Sequence, residues 1–149
     1  MCSSCGVCPV APALGCHALS FEGRPYYRCD SPLVFQSARS RCQSAGMDLV
    51  EIDTAAENDW LHSQLPQEAW IGAGDSAQEG TWLWLHSGKE FWIGTDRNGA
   101  AVGGAFTAWA SAEPNNLAVT STNADCGTMD AEGLWHDRDC DVAYAYVCE

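Results

Sequence analysis

Cysteine is the residue that most constrains this chain. Nine of its 149 residues carry a thiol, at positions 2, 5, 8, 16, 29, 42, 126, 140 and 148. So many thiols are a hazard in a reducing cytosol, and from Cys16 onward their wide spacings do not form the paired knuckles of a zinc site. The chain is therefore expected in an oxidising setting, extracellular or at a cell surface, with disulfides bracing a core of modest size. A length of 149 residues suits one domain rather than two. It has no internal repeat, and no apolar run approaches the ~18 residues of a membrane span. No secretory apolar segment precedes Cys2, so Met1 reads as an artificial or trimmed start. The formal charge of -13, from 20 acidic and 7 basic residues, repels phosphate backbones and anionic lipid heads and favours divalent cations. Nucleic acid is not an expected partner.

Residues 1 to 15 hold three cysteines and two prolines without periodicity and read as an irregular arm, leaving residues 16 to 149 as the domain. The run from Phe21 to Cys29 predicts two short strands with a turn at Glu22-Gly23. Phe35, Ala38, Cys42 and Ala45 fall at helical spacing, and Gly46 is placed to end that helix. Residues 48 to 52 alternate as a strand. Thr54 and Glu57 have the spacing of a capping box, in which each side chain satisfies the other's free backbone donor. A second helix is expected over residues 55 to 64, ending before Pro66. Trp70-Ile71-Gly72 and residues 81 to 85 read as strands, with Asp75 and Glu79 in the loop between them. Residues 88 to 125 are rich in Gly, Asn, Ser and Ala and too long for an ordinary connection, which marks them as functional or disordered. Short strands follow near residues 126 to 129, 134 to 136 and 143 to 148. The order of elements makes an α+β class.

The run Ala112-Glu113-Pro114-Asn115-Asn116, followed by Cys126, Leu134-Trp135-His136-Asp137, Cys140 and Tyr146-Val147-Cys148-Glu149, sets oxygen-bearing side chains around a turn-forming proline and encloses them between cysteines. Taken with Ser37-Ala38-Arg39-Ser40-Arg41-Cys42, Ala56-Glu57-Asn58, Trp70-Ile71-Gly72 and Glu79-Gly80-Thr81-Trp82, in this order and spacing, it resembles the C-type lectin-like domain over most of the chain. The resemblance implies two helices, small antiparallel sheets and a long irregular loop region. It also implies the bridges Cys42 with Cys148, Cys126 with Cys140 and, as in the long form of the family, Cys16 with Cys29. Sequence alone does not fix this pairing. Cys2, Cys5 and Cys8 remain, an odd number open to a disordered tail or to interchain bridges. Zinc would need Cys16 diverted, since no histidine or fourth cysteine lies at a nearby ligand spacing. The stretch from Phe91 to Phe106 resembles long-loop bacterial members of the family.

Calcium takes about six to eight oxygens. The resemblance implies that Glu113 and Asn115, on either side of a cis Pro114, face one ion, and that adjacent sugar hydroxyls bind through it. Proline is the one residue for which a cis bond is cheap. The order Glu-Pro-Asn resembles the mannose, glucose and fucose type rather than the galactose type. Asp137 keeps the acid of the family's Trp-Asn-Asp triplet. His136 puts an imidazole, a poor ligand for a hard cation, in place of its amide, and Ala124 stands where a glutamate is usual; Asn123 is a candidate substitute. The family's neighbouring calcium position is matched by Asp75, Glu79 and Asp125, with Asn116 able to add a carbonyl. The plain alternative is that these are solvated loop acids.

The expected function is calcium-dependent binding of a glycan, a surface polysaccharide or glycoprotein, contacted through Glu113, Asn115, His136 and Asp137. Shallow sites of this kind gain avidity from several copies, so self-association is expected. The rival is a protein-binding or structural module that has lost sugar binding and is oligomerised through its N-terminal cysteines. An enzyme is not expected. His17, His62, His86 and His136 are scattered, and no nucleophile elbow or His-Glu-x-x-His motif is present.

Overall fold

Glu22 and Gly23 both take positive φ, 50° and 77°, the backbone that a two-residue hairpin turn demands. They fold β1 (Cys16–Phe21) back onto β2 (Arg24–Leu33) with Cys16 opposite Cys29, and these two cysteines are bridged. The computed structural model describes residues 11–12, 14–95, 98–116 and 124–149. Cys2, Cys5 and Cys8, with the interchain role expected of them, and Asn123 lie outside the described residues.

Helix α1 (Phe35–Ser44) turns Phe35, Ala38 and Cys42 inward, the face its spacing predicts. Gly46, at φ 76°, ends it, and Met47 N donates back to Cys42 O at 3.0 Å. Helix α2 (Ala55–Gln64) starts at Thr54, whose hydroxyl accepts from Glu57 N at 3.1 Å. Only this half of the expected capping box forms. The buried Glu57 carboxylate accepts instead from Asp53 N at 3.0 Å, the Tyr26 hydroxyl at 2.6 Å and Arg24 at 3.2 Å, which ties the first hairpin to the helix.

The remaining strands are β3 (Ala69–Gly74), β4 (Thr81–Trp84), β5 (Lys89–Ile93), β6 (Ala100–Ala101), β7 (Cys126–Met129), β8 (Trp135–Arg138) and β9 (Tyr144–Cys148). They join in one mixed sheet of order β1-β2-β9-β3-β4-β5-β6, with β7 on β3 and β8 on β7. The parallel pair is β3 with β9. Cys42 on α1 is bridged to Cys148 on β9, and Cys126 on β7 to Cys140.

Two expectations are corrected. Residues 48 to 52 do not pair along a ladder; Leu49 makes a single bridge to Cys148. Beyond Trp70 and Tyr146 the parallel strands part, and Val50 fills the gap. Its N–H donates to Val147 O at 3.0 Å and its carbonyl accepts from Gly72 N at 2.8 Å. Gly72 is required at this crossing, since a Cβ there would lie 2.6 Å from the Leu49 carbonyl oxygen. Leu49, Val50 and Ile52 are all buried and Glu51 is half-buried, so the apparent alternation does not set a buried face against a solvent face. Residues 88 to 125, in turn, are not irregular throughout. Phe91 is buried and stacks on Trp84 at 4.4 Å, which draws β5 into a hairpin with β4.

Trp135 is fully buried, with its ring 5.4 Å from Trp84, 5.7 Å from Phe106 and 6.0 Å from Trp109. A second cluster gathers Trp70, Phe35 and four bridged cysteines, Cys29, Cys42, Cys126 and Cys148, under α1. Among the described residues no helix is long and apolar enough to cross a membrane.

The bridges predict an order of stability losses. Cys42 and Cys148 are separated by 106 residues and Cys16 and Cys29 by 13. On the chain-entropy account, replacing the first pair by alanine costs about 4.7 kcal/mol and the second about 3 kcal/mol. Urea unfolding of the two double variants reads this order; a larger loss for the short loop would contradict it.

Candidate metal and ligand site

Asp75 leaves the end of β3 where Gly74 lies opposite Cys126 on β7, so strand pairing carries Asp75 to Asp125. Asp75 N donates to Asp125 O at 3.1 Å. The loop then closes on Asp75 itself. Gln78 N donates to its carbonyl at 3.1 Å and Gly80 N to Oδ2 at 2.9 Å, which turns Glu79 back toward the pair. Oxygens of Asp75, Glu79 and Asp125 all lie within 4.8 Å of one another. Asp75 is only 2% exposed, and its Oδ1, like Oδ1 of Asp125, is buried without a hydrogen-bond donor.

An unpaired buried carboxylate is costly. Burial pushes the Asp75 carboxyl up to about 7 against the pull of the Gly80 N–H, and the charges of Glu79, Asp125 and Asp137 push the same way. Burial and Asp125 raise Glu79 as well. A bound dication inverts this balance. Hard oxygens, two of them buried and unpartnered, fit calcium in donor type.

The second group is placed by Trp135. Its N–H donates to Ala108 O at 2.8 Å and its carbonyl accepts from Ala110 N at 2.9 Å, which lays the segment before Glu113 along β8. Ala112 takes φ 64°, the Glu113-Pro114 bond is cis and Asn116 takes φ 58°. The Glu113 carboxylate accepts from Asp137 N at 3.1 Å through Oε2 and from the Asn115 amide through Oε1. Asn116 N donates to Asp137 Oδ2, and the Asn116 side-chain oxygen accepts from Ala124 N at 3.0 Å. Asp137 Oδ1 is buried with no donor.

His136 stands at the edge of this group. Its Nε2 is 2.8 Å from Asp130 Oδ2 and its Nδ1 is 3.7 Å from Glu113 Oε2. Burial pushes Glu113 up, but hydrogen bonds from His136 and Asp137 outweigh it and hold the carboxyl below its usual range. Glu113 and Asp130 raise the imidazole in return, against its burial. Asp137 is pushed up to about 7 by burial and by Glu113.

The structure thus brings together Asp75, Glu79 and Asp125 as one set, and Glu113, Asn115, His136 and Asp137 as another, with Asn116 touching the second. The Asn116 side-chain oxygen already accepts one hydrogen bond, from Ala124 N. Ala124 is a buried methyl. Sequence reasoning did not single out Asp130, although Asp130 followed by Glu132 and Leu134 has the pattern of a turn in which one carboxylate caps two N–H groups. Here its Oδ1 accepts from Glu132 N at 2.9 Å and Leu134 N at 3.0 Å.

Residues 31–149 match the Lectin C-type domain model. The chain belongs to the C-type lectin domain family. It is a binding domain, not an enzyme, and its disulfides suit the extracellular setting typical of such domains. It is 34% identical to the hepatic lectin of Gallus gallus over 130 residues, 87% of this chain and 56% of that one. Over 134 residues it is also 34% identical to human C-type lectin domain family 17, member A, covering 88% of this chain and 30% of that one. The chain therefore spans about half the length of these relatives or less. Its fold superposes on the mouse scavenger receptor C-type lectin carbohydrate-recognition domain with a TM-score of 0.74 at 25% identity, covering 89% of this chain and 91% of that one.

The buried acids predict a pH dependence of the ion-free domain. A carboxyl whose folded pKa is raised contributes stability below its unfolded value, about 3.9 for Asp, and that contribution is lost as pH rises through the folded value. For Asp75 and Asp137 the loss ends near pH 7, and the raised His136 adds in the same direction. Melting in chelator is expected to fall as pH rises from about 5 to about 8, with a shallower slope in Asp75→Asn. Stability that climbs steadily over this range would contradict the burial argument.

Proposed function

We propose that this domain binds glycan, as an extracellular or cell-surface module, and that calcium held by Asp75, Glu79 and Asp125, with the Asn116 carbonyl, shapes the loop that presents Glu113 and Asn115. The observation that carries the reading is the pair of buried, donorless oxygens on Asp75 and Asp125. Calcium bound there would supply a positive charge that the described residues do not bring to this cluster. Glu113 offers a carboxylate that accepts from a sugar hydroxyl, and Asn115 an amide that donates to one. Asp137 keeps Glu113 in place through its N–H. The order Glu113-Pro114-Asn115 favours the mannose, glucose and fucose type over the galactose type.

Residues 16 to 149 would act as the recognition unit and residues 1 to 15 as an arm. Cys2, Cys5 and Cys8 are an odd set and would pair between chains in an oxidising compartment, which raises the avidity of a shallow site. A second reading, a protein-binding or structural module, is favoured by His136 and Ala124, two positions where sugar-binding members carry oxygen ligands.

A glycan array probed with calcium and again with chelator separates the two. The lectin reading expects binding to mannose-, glucose- or fucose-bearing glycans that chelator abolishes and that Asp75→Asn weakens at least tenfold. A folded, calcium-loaded protein that retains no glycan would overturn it in favour of the protein-binding reading.

A further inference from the structure

The two carboxylate groups at this end of the sheet are finished differently. Around Asp75 the acids have no counter-charge among the described residues. Around Glu113 nearly every donor and acceptor is already engaged. Both Glu113 oxygens accept hydrogen bonds, one from Asp137 N and one from the Asn115 amide. Asp137 Oδ2 accepts from Asn116 N, and the Asn116 side-chain oxygen accepts from Ala124 N.

His136 cannot supply what is missing. Its ring is pinned by the 2.8 Å contact to Asp130, and Asp130 is fixed in turn by two backbone N–H groups. The imidazole edge therefore faces Glu113 Oε2 at 3.7 Å and gives a hard cation a nitrogen where it needs an oxygen. Ala124, 1% exposed, has a methyl group and so brings no side-chain oxygen. Among the described residues Asp137 Oδ1 is the one unpartnered buried oxygen in this set, against two around Asp75.

We infer that the domain holds one divalent cation, at Asp75, Glu79 and Asp125, and that His136 and Ala124 close the neighbouring position beside Glu113 and Asp137 to a second. This rests on the calcium reading above and narrows it. A hydroxylated ligand at Glu113 and Asn115 then meets hydrogen-bonding groups alone, and calcium acts on it through the shape of the loop.

Counting bound calcium by equilibrium dialysis of the whole chain at about 10 mM free calcium, well above the range of extracellular sites, tests the inference without any sugar present. One ion per chain is expected, none in Asp75→Asn, and still one in Glu113→Gln. The paired change His136→Asn with Ala124→Glu is expected to raise the count to two, and it probes the same position by gain should Glu113→Gln fail to fold. Two ions or none in the natural chain, a lost ion in folded Glu113→Gln, or a count still at one in the folded paired variant would each overturn it. A failed glycan array with one ion bound would sink the sugar reading and leave this inference standing.

Discussion

The site depends on the way Trp135 is held. Its ring fills the centre of the aromatic core, and its indole N–H donates to Asn58 on α2 at 2.8 Å. Asn58 in turn donates to Gly133 O at 2.9 Å, which locks the turn before β8. The Trp135 backbone meanwhile takes up residues 108 and 110. One buried side chain thus fixes a helix, a strand and the long loop together, and the next two residues on its strand are His136 and Asp137. Truncating a buried aromatic of this size costs about 3–5 kcal/mol, and here the loss would fall directly on the ligand groups.

Around that frame the chain tolerates an electrostatic imbalance. Asp75 and Asp137, both 2% exposed, are buried acids near one another in a chain that is already strongly negative. At the Glu113 edge the imbalance is eased within the protein, by the imidazole of His136 set between two carboxylates. Among the described residues nothing comparable faces Asp75. Its Oδ2 has one N–H donor and its Oδ1 none. The contrast is why the two neighbouring acid sets are read as having different fates, one ready for a cation and the other satisfied by a side chain.

Much of the frame was legible in the sequence because local chemistry dictates it. Glu22-Gly23 makes a tight turn, Gly46 ends a helix, Thr54 caps one and Pro66 follows its end. The disulfide pairing came through family resemblance, not through spacing. What the sequence hid is what depends on distant partners. Residues 48 to 52 look like a strand because they alternate, but they sit where β9 and β3 diverge and are buried nearly throughout. Residues 89 to 93 become a strand because Phe91 finds Trp84. At the site, the two acid sets were visible as motifs, whereas the clamp on His136 was not, since it needs Asp130 folded back across the turn before β8.

A crystal structure grown with calcium tests the central claim most directly. The account predicts one metal peak, bonded to oxygens of Asp75, Glu79 and Asp125, with His136 still between Asp130 and Glu113. No peak among those three acids, or a metal bonded to Glu113 and Asp137 instead, would contradict it.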